Sequence, residues 1–223
     1  MKVYNIAVDG PAGAGKSTIA KKIAKKLSYV YVDTGSMYRA IGYFMLNNNI
    51  SLEDEELVSS SCENIKVTIA YANGEQQVFL NGENVTSSLR QEMVGNAAST
   101  VAKYGRVRSK MVDLQQELAH STNIIMDGRD IGTVVLPNAD LKVYLTASSY
   151  VRAKRRHTEL MDKGVQCDLN AIEKDIIERD HQDMTREVSP LTQATDAILV
   201  DCSDLTIEEV VNKVIDLFYD KIK

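Results

Sequence analysis

The chain of 223 residues has no tryptophan, only three prolines and only three cysteines. Cys62, Cys167 and Cys202 are scattered, without a Cys-x-x-Cys pair, so neither a disulfide framework nor a zinc site is indicated. No apolar run approaches the roughly 18 residues that a membrane span requires, and the polar N-terminus does not resemble a secretory segment. We therefore expect a cytoplasmic protein with no membrane partner.

Acidic residues also outnumber basic ones. Lys and Arg total 26 against 31 Asp and Glu, which gives a formal net charge of −5. This balance argues against a nucleic-acid polymer as partner, because such proteins are usually strongly basic. With 44% apolar and 26% charged residues, the composition is that of a globular protein of one or two domains and excludes a disordered chain.

Short apolar runs alternate with helical patterns along most of the chain. The strand-like runs are residues 3–8, 29–32, 124–126, 141–145 and 197–200. Between and after them, residues 17–27, 37–47, 53–61 and 206–219 are among the segments with helical periodicity. Alternation of this kind predicts an α/β fold with a five-stranded parallel sheet flanked by helices.

One stretch departs from this alternation. Apolar residues at 65, 67, 69 and 71 follow a period of two, and the pairs Asn73-Gly74 and Asn81-Gly82 are strong hairpin-turn signals. We therefore predict a small antiparallel meander at about residues 63–87, inserted into the α/β pattern.

The first β–α junction carries a phosphate-binding motif. The sequence from Gly10 to Ser17 fits G-x-x-x-x-G-K-[ST], directly after a strand and before an amphipathic helix, which is the context of a P-loop. Backbone N–H groups in such a loop surround phosphate oxygens, the lysine reaches the β- and γ-phosphates, and the serine hydroxyl can bind Mg²⁺. The residues expected to bind ATP are Gly10, Pro11, Ala12, Gly13, Ala14, Gly15, Lys16, Ser17 and Thr18.

Two aspartates compete for a role beside the metal. Asp127 ends an apolar run in the manner of a Walker-B strand and can hold Mg²⁺ through water, or it can simply cap a turn. Asp33 ends the second strand and is the alternative. A GTPase is disfavoured because the chain has no [NT]KxD guanine motif.

Arginines gather at junctions where α/β sheets bind ligands, which suggests a second substrate that carries a phosphate. Four stretches then resemble the bacterial cytidylate kinase family over nearly the whole chain. They are Asp-Gly-Pro-Ala-Gly-Ala-Gly-Lys-Ser-Thr (9–18), Asp-Thr-Gly-Ser-Met-Tyr-Arg (33–39), Asp-Gly-Arg-Asp-Ile-Gly-Thr-Val-Val (127–135) and Glu-Arg-Asp…Asp…Arg…Pro-Leu (178–191). The last two are the more specific, because many enzymes share a P-loop.

The resemblance implies a nucleoside-monophosphate-kinase fold with three parts. The core P-loop domain would comprise residues 1–35, 90–147 and 167–223. Residues 36–89 would form the monophosphate-binding segment, which includes the antiparallel insert, and residues 148–166 would form a mobile helical lid.

The resemblance also implies roles for individual residues. Residues expected to bind CMP are Thr34, Arg39, Ser99, Arg108, Arg129, Asp130, Arg179, Asp183 and Arg186. Among them, Arg39, Arg129 and Arg186 would hold the acceptor phosphate, Ser99, Arg108 and Asp130 would face the cytosine, and Arg179 and Asp183 would meet the sugar. The residues expected to act in catalysis are Lys16, Arg129, Arg152, Arg155 and Arg156, the last three from the lid.

Some of these roles have alternatives. Ser99 can instead be a small helix-packing residue, and Arg186 can brace the base-binding group. Asp130 can brace Arg129 or Arg186 rather than read the base. The family more often has Ala where this chain has Ser36, and often Pro where it has Gly105.

The expected activity is transfer of a phosphoryl group from ATP, with Mg²⁺, to CMP and also to dCMP. Two alternatives stay open: a P-loop kinase for another small acceptor, such as another nucleoside monophosphate or shikimate, and a regulatory module that binds ATP without transferring phosphate. We expect a monomer whose partners are small molecules.

Overall fold

The structure is a computed structural model that describes residues 2–223. Its strands are β1 (Asn5–Asp9), β2 (Val30–Asp33), β3 (Val67–Ala72), β4 (Glu75–Leu80), β5 (Glu83–Asn84), β6 (Ile124–Gly128), β7 (Leu141–Thr146) and β8 (Ile198–Asp201). Its α-helices are α1 (Lys16–Leu27), α2 (Thr34–Asn47), α3 (Glu55–Glu63), α4 (Glu92–Val101), α5 (Gly105–Ala119), α6 (Ser149–Asp162), α7 (Leu169–Thr185) and α8 (Ile207–Ile222). A single π-helical turn covers Ile131–Val135.

The chain divides into two compact units. The first runs up to Tyr31 and resumes over Thr122–Lys223, and the second is Val32–Ser121. Helix α4 packs against α2 within the second unit. The division into a core, a monophosphate-binding segment and a lid stays a prediction.

The first unit is built on a parallel sheet. The strand order is β2-β6-β1-β7-β8, with β1 parallel to both β6 and β7, and β8 parallel to β7. This confirms the predicted five-stranded parallel sheet. Asp9 at the end of β1 pairs in register with Gly128 at the end of β6. The segments that follow these two strands therefore leave the sheet at the same edge, where α/β folds bind ligands.

Helices α1 and α8 cover one face of this sheet. Ile19 and Ile23 of α1 and Phe218 of α8 are buried in one apolar cluster with the sheet residues Val8 and Val143. The rings of Tyr4 and Tyr29 meet the Phe218 ring edge-on. Helix α8 starts with a capping box in which Thr206 and Glu209 satisfy each other's backbone N–H groups.

In the second unit, helices α2 and α4 pack closely. A Cβ added at Gly42 of α2 would lie 2.8 Å from the backbone nitrogen of Ala98 and 3.0 Å from the Cβ of Ala97. Glycine is therefore required for this approach of the two helices. Helix α2 starts at Thr34, three residues before the predicted start, because the side chain of Asp33 accepts a hydrogen bond from the backbone N–H of Ser36 and caps it.

The predicted antiparallel meander is present as the three-stranded sheet β3-β4-β5. At the first turn Asn73 and Gly74 have φ values of 53° and 77°, and at the second Asn81 and Gly82 have 50° and 89°. Both central residues with positive φ are the signature of a two-residue type I′ hairpin turn. Between residues 2 and 223 there is no helix long and apolar enough to cross a membrane.

Candidate active site

The P-loop follows β1 and wraps tightly against the neighbouring strand. A Cβ added at Gly10 would lie 1.9 Å from the carbonyl oxygen of Leu145 on β7, so only glycine fits there. Gly13 and Gly15 have φ values of 74° and 89°, which turn the backbone before α1 begins at Lys16. This strand–loop–helix geometry is the one that presents backbone N–H groups to phosphate oxygens.

Lys16 lies within this loop and is almost fully buried. Its ammonium donates a hydrogen bond of 2.7 Å to the carbonyl oxygen of Pro11. Burial lowers the pKa of Lys16 to about 7, and the nearby positive charge of Arg129 acts in the same direction. A cation held under these conditions gains strongly from an anion, so a phosphate oxygen is a well-matched ligand.

Ser17 and Asp127 meet at the start of α1. The Ser17 hydroxyl donates a 2.9 Å hydrogen bond to Oδ2 of Asp127, and the Tyr31 hydroxyl donates a 2.7 Å hydrogen bond to Oδ1. A hydroxyl and a carboxylate oxygen are hard ligands of the kind that Mg²⁺ takes beside phosphate. The rival candidate Asp33 caps α2 in the second unit. Residues 2–223 contain no cluster of three or more His, Cys, Asp or Glu side chains that could hold a metal by themselves.

Asp9 ties the end of β1 to the π-helical turn. Its two carboxylate oxygens accept hydrogen bonds from the backbone N–H groups of Ile131 (2.8 Å) and Gly132 (2.7 Å). Burial raises the pKa of Asp9 to about 6, although these two hydrogen bonds oppose the rise. Asp130, which directly precedes Ile131 and is expected to face the base, is also buried.

Arg152 of α6, expected to meet the transferring phosphates, lies against the P-loop itself. Its guanidinium donates to the carbonyl oxygens of Ala147 (2.9 Å) and Ala12 (2.8 Å). It also pairs with Asp180 of α7 at 2.6 Å, and the other oxygen of Asp180 accepts from the Ala12 N–H at 3.3 Å. Arg152 is only 5% exposed, so in this structure it braces the loop backbone.

The other two expected lid arginines differ from Arg152. Arg155 donates to the backbone carbonyl of Cys202 at 2.7 Å, and the thiol of Cys202 is hydrogen-bonded to the carbonyl of Ala14 in the P-loop. Arg156 pairs with Glu159 one turn further along α6, at 3.1 Å. The side chain of Arg156 is 40% exposed, and Arg155 is exposed as well, so both are far more accessible than Arg152.

Three residues expected at the acceptor form a charged cluster in the first unit. Nε of Arg129 donates to Asp183 at 2.7 Å, and Arg186 lies 3.7 Å from the other oxygen of Asp183. Burial opposes ionisation of Asp183, but the charges of the arginines outweigh it and hold the pKa below its ordinary value. Arg179 adds to this positive surrounding of Asp183.

The second unit holds the remaining expected acceptor residues. Arg39 of α2 lies 3.5 Å from Asp33 and is partly exposed, whereas Thr34, the first residue of α2, is buried. Arg108 of α5 is 2% exposed, donates to the carbonyl of Ala102 at 2.9 Å and stacks over the ring of Tyr38. Ser99 lies on α4 and is half-buried.

Sequence reasoning assigned no role to Asp180, Asp9 or Tyr31, all of which contact expected site residues. Asp9 and Asp180 stand inside the stretches that carried the resemblance, and that position was the available signal. Tyr31 occupies a strand position that the apolar pattern explains by burial alone. Only the three-dimensional pairing shows that its hydroxyl reaches Asp127.

A cavity of about 480 Å³ lies elsewhere, between α3 and α5. Lys110, on its wall, donates to the backbone carbonyls of Cys62, Glu63 and Ile65, and Arg106 is paired with glutamates of α3. These cations serve to hold α3 on α5. None of the expected site residues lines the cavity, so we place the chemistry at the P-loop instead.

A parallel α/β sheet whose first strand feeds a P-loop, with a buried lysine, a serine–aspartate pair and a set of arginines, defines a P-loop phosphotransferase. The profile of the cytidylate kinase family matches residues 6–220. The chain belongs to this family and is a nucleoside-monophosphate kinase.

Individual relatives agree with the family match. A cytidylate kinase from Caldicellulosiruptor saccharolyticus is 52% identical over 222 residues, which cover 100% of this chain and 98% of the relative. One from Listeria innocua is 52% identical over 219 residues, covering 98% and 97%. A gluconokinase structure from Sinorhizobium meliloti aligns with a TM-score of 0.51 at 14% identity, covering 97% of this chain and 92% of that one, which shows the fold alone.

Proposed function

We propose that the chain transfers the γ-phosphoryl group of ATP to the phosphate of CMP, and also of dCMP. One observation supports ATP as the phosphoryl donor. Lys16 is buried inside a P-loop, and the residue after it, Ser17, is hydrogen-bonded to Asp127. The family match favours CMP over shikimate or another small acceptor, and over a module that only binds ATP.

On the donor side, the loop from Gly10 to Thr18 would surround the ATP phosphates and donate to them through its backbone N–H groups, which Pro11 lacks. Lys16 would leave the carbonyl of Pro11 to neutralise charge between the β- and γ-phosphates. Ser17 and Asp127 would hold Mg²⁺, Asp127 through water, with Asp33 as the less favoured partner. The bound ion supplies charge neutralisation on the phosphates. Arg152 and Asp180 keep the loop backbone in shape while the substrates exchange.

On the acceptor side, we assign Arg39, Arg129 and Arg186 to the phosphate of CMP. The remaining assignments are Thr34, Ser99, Arg108, Asp130, Arg179 and Asp183 for the nucleoside. Asp183 already orients Arg129 through a 2.7 Å hydrogen bond, so that guanidinium is positioned before substrate arrives. Because the attacking group is an anionic phosphate oxygen, the chemistry requires positioning and charge neutralisation and no histidine base.

The residues around α6 would act as the lid, at 148–166. When the lid closes, Arg155 and Arg156 would turn toward the transferring phosphoryl group and exclude water, which otherwise would hydrolyse ATP. We further propose that the enzyme works as a monomer in the cytoplasm. Size-exclusion chromatography with light scattering tests the monomer, for which the chain mass is 24.7 kDa.

The activity is tested by ADP release with CMP, dCMP, UMP, AMP and shikimate, each at equal concentration with ATP and Mg²⁺. We expect CMP and dCMP to turn over far faster than the other acceptors. A preference for UMP, AMP or shikimate would refute the acceptor assignment, and ADP release that does not depend on any acceptor would refute the kinase itself.

A further inference from the structure

A polar side chain stands on the inner face of the antiparallel insert, defined here as β3, β4 and β5. Side chains alternate along β4, so Gln76 shares a face with Val78 and Leu80, which are buried. A glutamine at such a position is expected only where its amide finds partners.

Gln76 finds those partners at the junction of β2 and α2. Its Oε1 accepts a hydrogen bond of 2.8 Å from the backbone N–H of Asp33. Its Nε2 donates to the hydroxyl of Ser36 at 2.7 Å and lies 3.3 Å from the carbonyl oxygen of Asp33. The Ser36 hydroxyl in turn donates to that same carbonyl at 2.6 Å, which closes a ring of hydrogen bonds.

This ring holds Asp33, the residue that pairs with Arg39. One carboxylate oxygen of Asp33 caps α2 by accepting from the N–H of Ser36 at 3.0 Å, and the other lies 3.5 Å from Arg39. Arg39 is partly exposed, and Asp33 is the carboxylate with which it forms an ion pair in the second unit. The direction of its guanidinium therefore depends on where Asp33 is held.

We propose that Gln76 is a positioning residue for the acceptor phosphate, through which the insert sets the orientation of Asp33 and Arg39. The inference rests on the proposed role of Arg39 and gives the insert a function in substrate binding. Only a side chain with both a donor and an acceptor at this length bonds Asp33 and Ser36 together. Ser36 takes part through a hydroxyl that the alanine more common in the family does not have.

The adjacent Gln77 provides a matched control. It lies on the opposite face of β4, where its Oε1 accepts from Asn84 of β5 at 3.1 Å within the insert itself. Replacing either glutamine by methionine preserves length and approximate volume and removes one amide from the same strand. A general weakening of the insert would affect both variants in the same way.

The test compares Gln76→Met and Gln77→Met by steady-state kinetics, by calorimetric titration of CMP in the absence of ATP, and by thermal unfolding. We expect Gln76→Met to raise KM and Kd for CMP by about tenfold, the effect of losing one or two neutral hydrogen bonds, with KM for ATP within about twofold. Gln77→Met should leave all three constants near those of the wild type. Equal effects of the two variants, or a parallel rise in both KM values, would overturn the proposal and leave Gln76 a structural residue.

Arg39→Ala separates this inference from the function on which it rests. If Arg39→Ala weakens CMP binding and Gln76→Met does not, only the inference about Gln76 fails. If Arg39→Ala leaves CMP binding unchanged, the proposed role of Arg39 fails and the inference fails with it. If each single variant weakens CMP binding, the double variant Gln76→Met/Arg39→Ala should bind CMP less than about twofold more weakly than Arg39→Ala alone, because the two residues act in one network.

Discussion

Arg152 and Asp180 bind the two sides of one residue in the P-loop. The arginine donates to the carbonyl of Ala12, the aspartate accepts from its N–H, and the two side chains pair with each other at 2.6 Å. The two come from α6 and α7, so the packing of these helices is coupled directly to the shape of the phosphate-binding loop. The most buried arginine of the expected lid is therefore part of the support of the loop in this structure.

Replacing Arg152 by Ala should destabilise the fold, because it leaves the carboxylate of Asp180 buried without its cation. We expect a loss of about 3 kcal/mol in the free energy of unfolding, measured with urea. Arg156→Ala on the same helix removes an exposed pair with Glu159 and should cost less than about 0.5 kcal/mol. Similar small losses in the two variants would show that the Arg152–Asp180 pair does not support the loop.

Lys16→Ala should lower kcat by at least about 10²-fold, the scale on which removal of one donor to a developing charge acts. Alanine is a good helix former, and Lys16 is the first residue of α1, so the fold should persist. Circular dichroism of the purified variant provides the control for folding. Near-normal turnover by a folded variant would remove Lys16 from the donor site.

Asp9 should make the stability of the protein depend on pH. Its pKa is about 6 in the folded protein against an ordinary value of 3.8, so the folded state binds the proton more tightly than the unfolded state does. The stability that this proton contributes is fully present below pH 3.8 and is lost as the pH rises through 6. The difference corresponds to about 3 kcal/mol, at roughly 1.4 kcal/mol for each pH unit.

Urea unfolding of the wild type and Asp9→Asn between pH 4 and 7 isolates this effect, because the other titrating groups are common to both. The free energy of unfolding of the wild type should fall relative to that of the variant as the pH rises to about 6.5. If the free energy of unfolding of the wild type relative to Asp9→Asn stays constant or increases with pH, Asp9 does not have a raised pKa in the folded protein.

Asp130 should discriminate between bases. Cytosine presents an amino group where uracil presents a carbonyl oxygen, and an ionised carboxylate can only accept a hydrogen bond. Asp130→Ala should therefore reduce kcat/KM for CMP much more than for UMP and narrow their ratio by at least about tenfold. If kcat/KM decreases by the same factor for CMP and UMP, Asp130 braces the neighbouring arginines, and Ser99 and Arg108 are the residues left to recognise the base.

Local patterns predicted the architecture well where one interaction dominates. The Asn73-Gly74 and Asn81-Gly82 turns require positive φ at both residues, and few sequences other than Asn-Gly accept it, so the insert was evident. The P-loop is equally restrictive, because a side chain at Gly10 would collide with Leu145. The alternating apolar runs likewise indicated the parallel sheet.

Side-chain partners far apart in sequence were beyond such patterns. Spacing puts Arg152, Arg155 and Arg156 on one helix face. Arg152 is nevertheless buried against the P-loop, whereas Arg155 is exposed and Arg156 is partly exposed. Asp180, which pairs with Arg152 and with neither of the other two arginines in the contacts described above, lies on another helix, α7. Gln76 interrupts an apolar face of β4, which signals an inward polar group, but its partners at Asp33 and Ser36 depend on tertiary packing.

Label transfer is the most direct test of the account. ATP labelled in its γ-phosphate is incubated with CMP, Mg²⁺ and enzyme, and the products are separated. We expect the label to appear in CDP, with little in inorganic phosphate, and we expect Lys16→Ala to slow this transfer by at least about 10²-fold under the same conditions. Label found mainly in inorganic phosphate, or remaining in ATP with the wild-type enzyme, would contradict phosphoryl transfer from ATP to CMP.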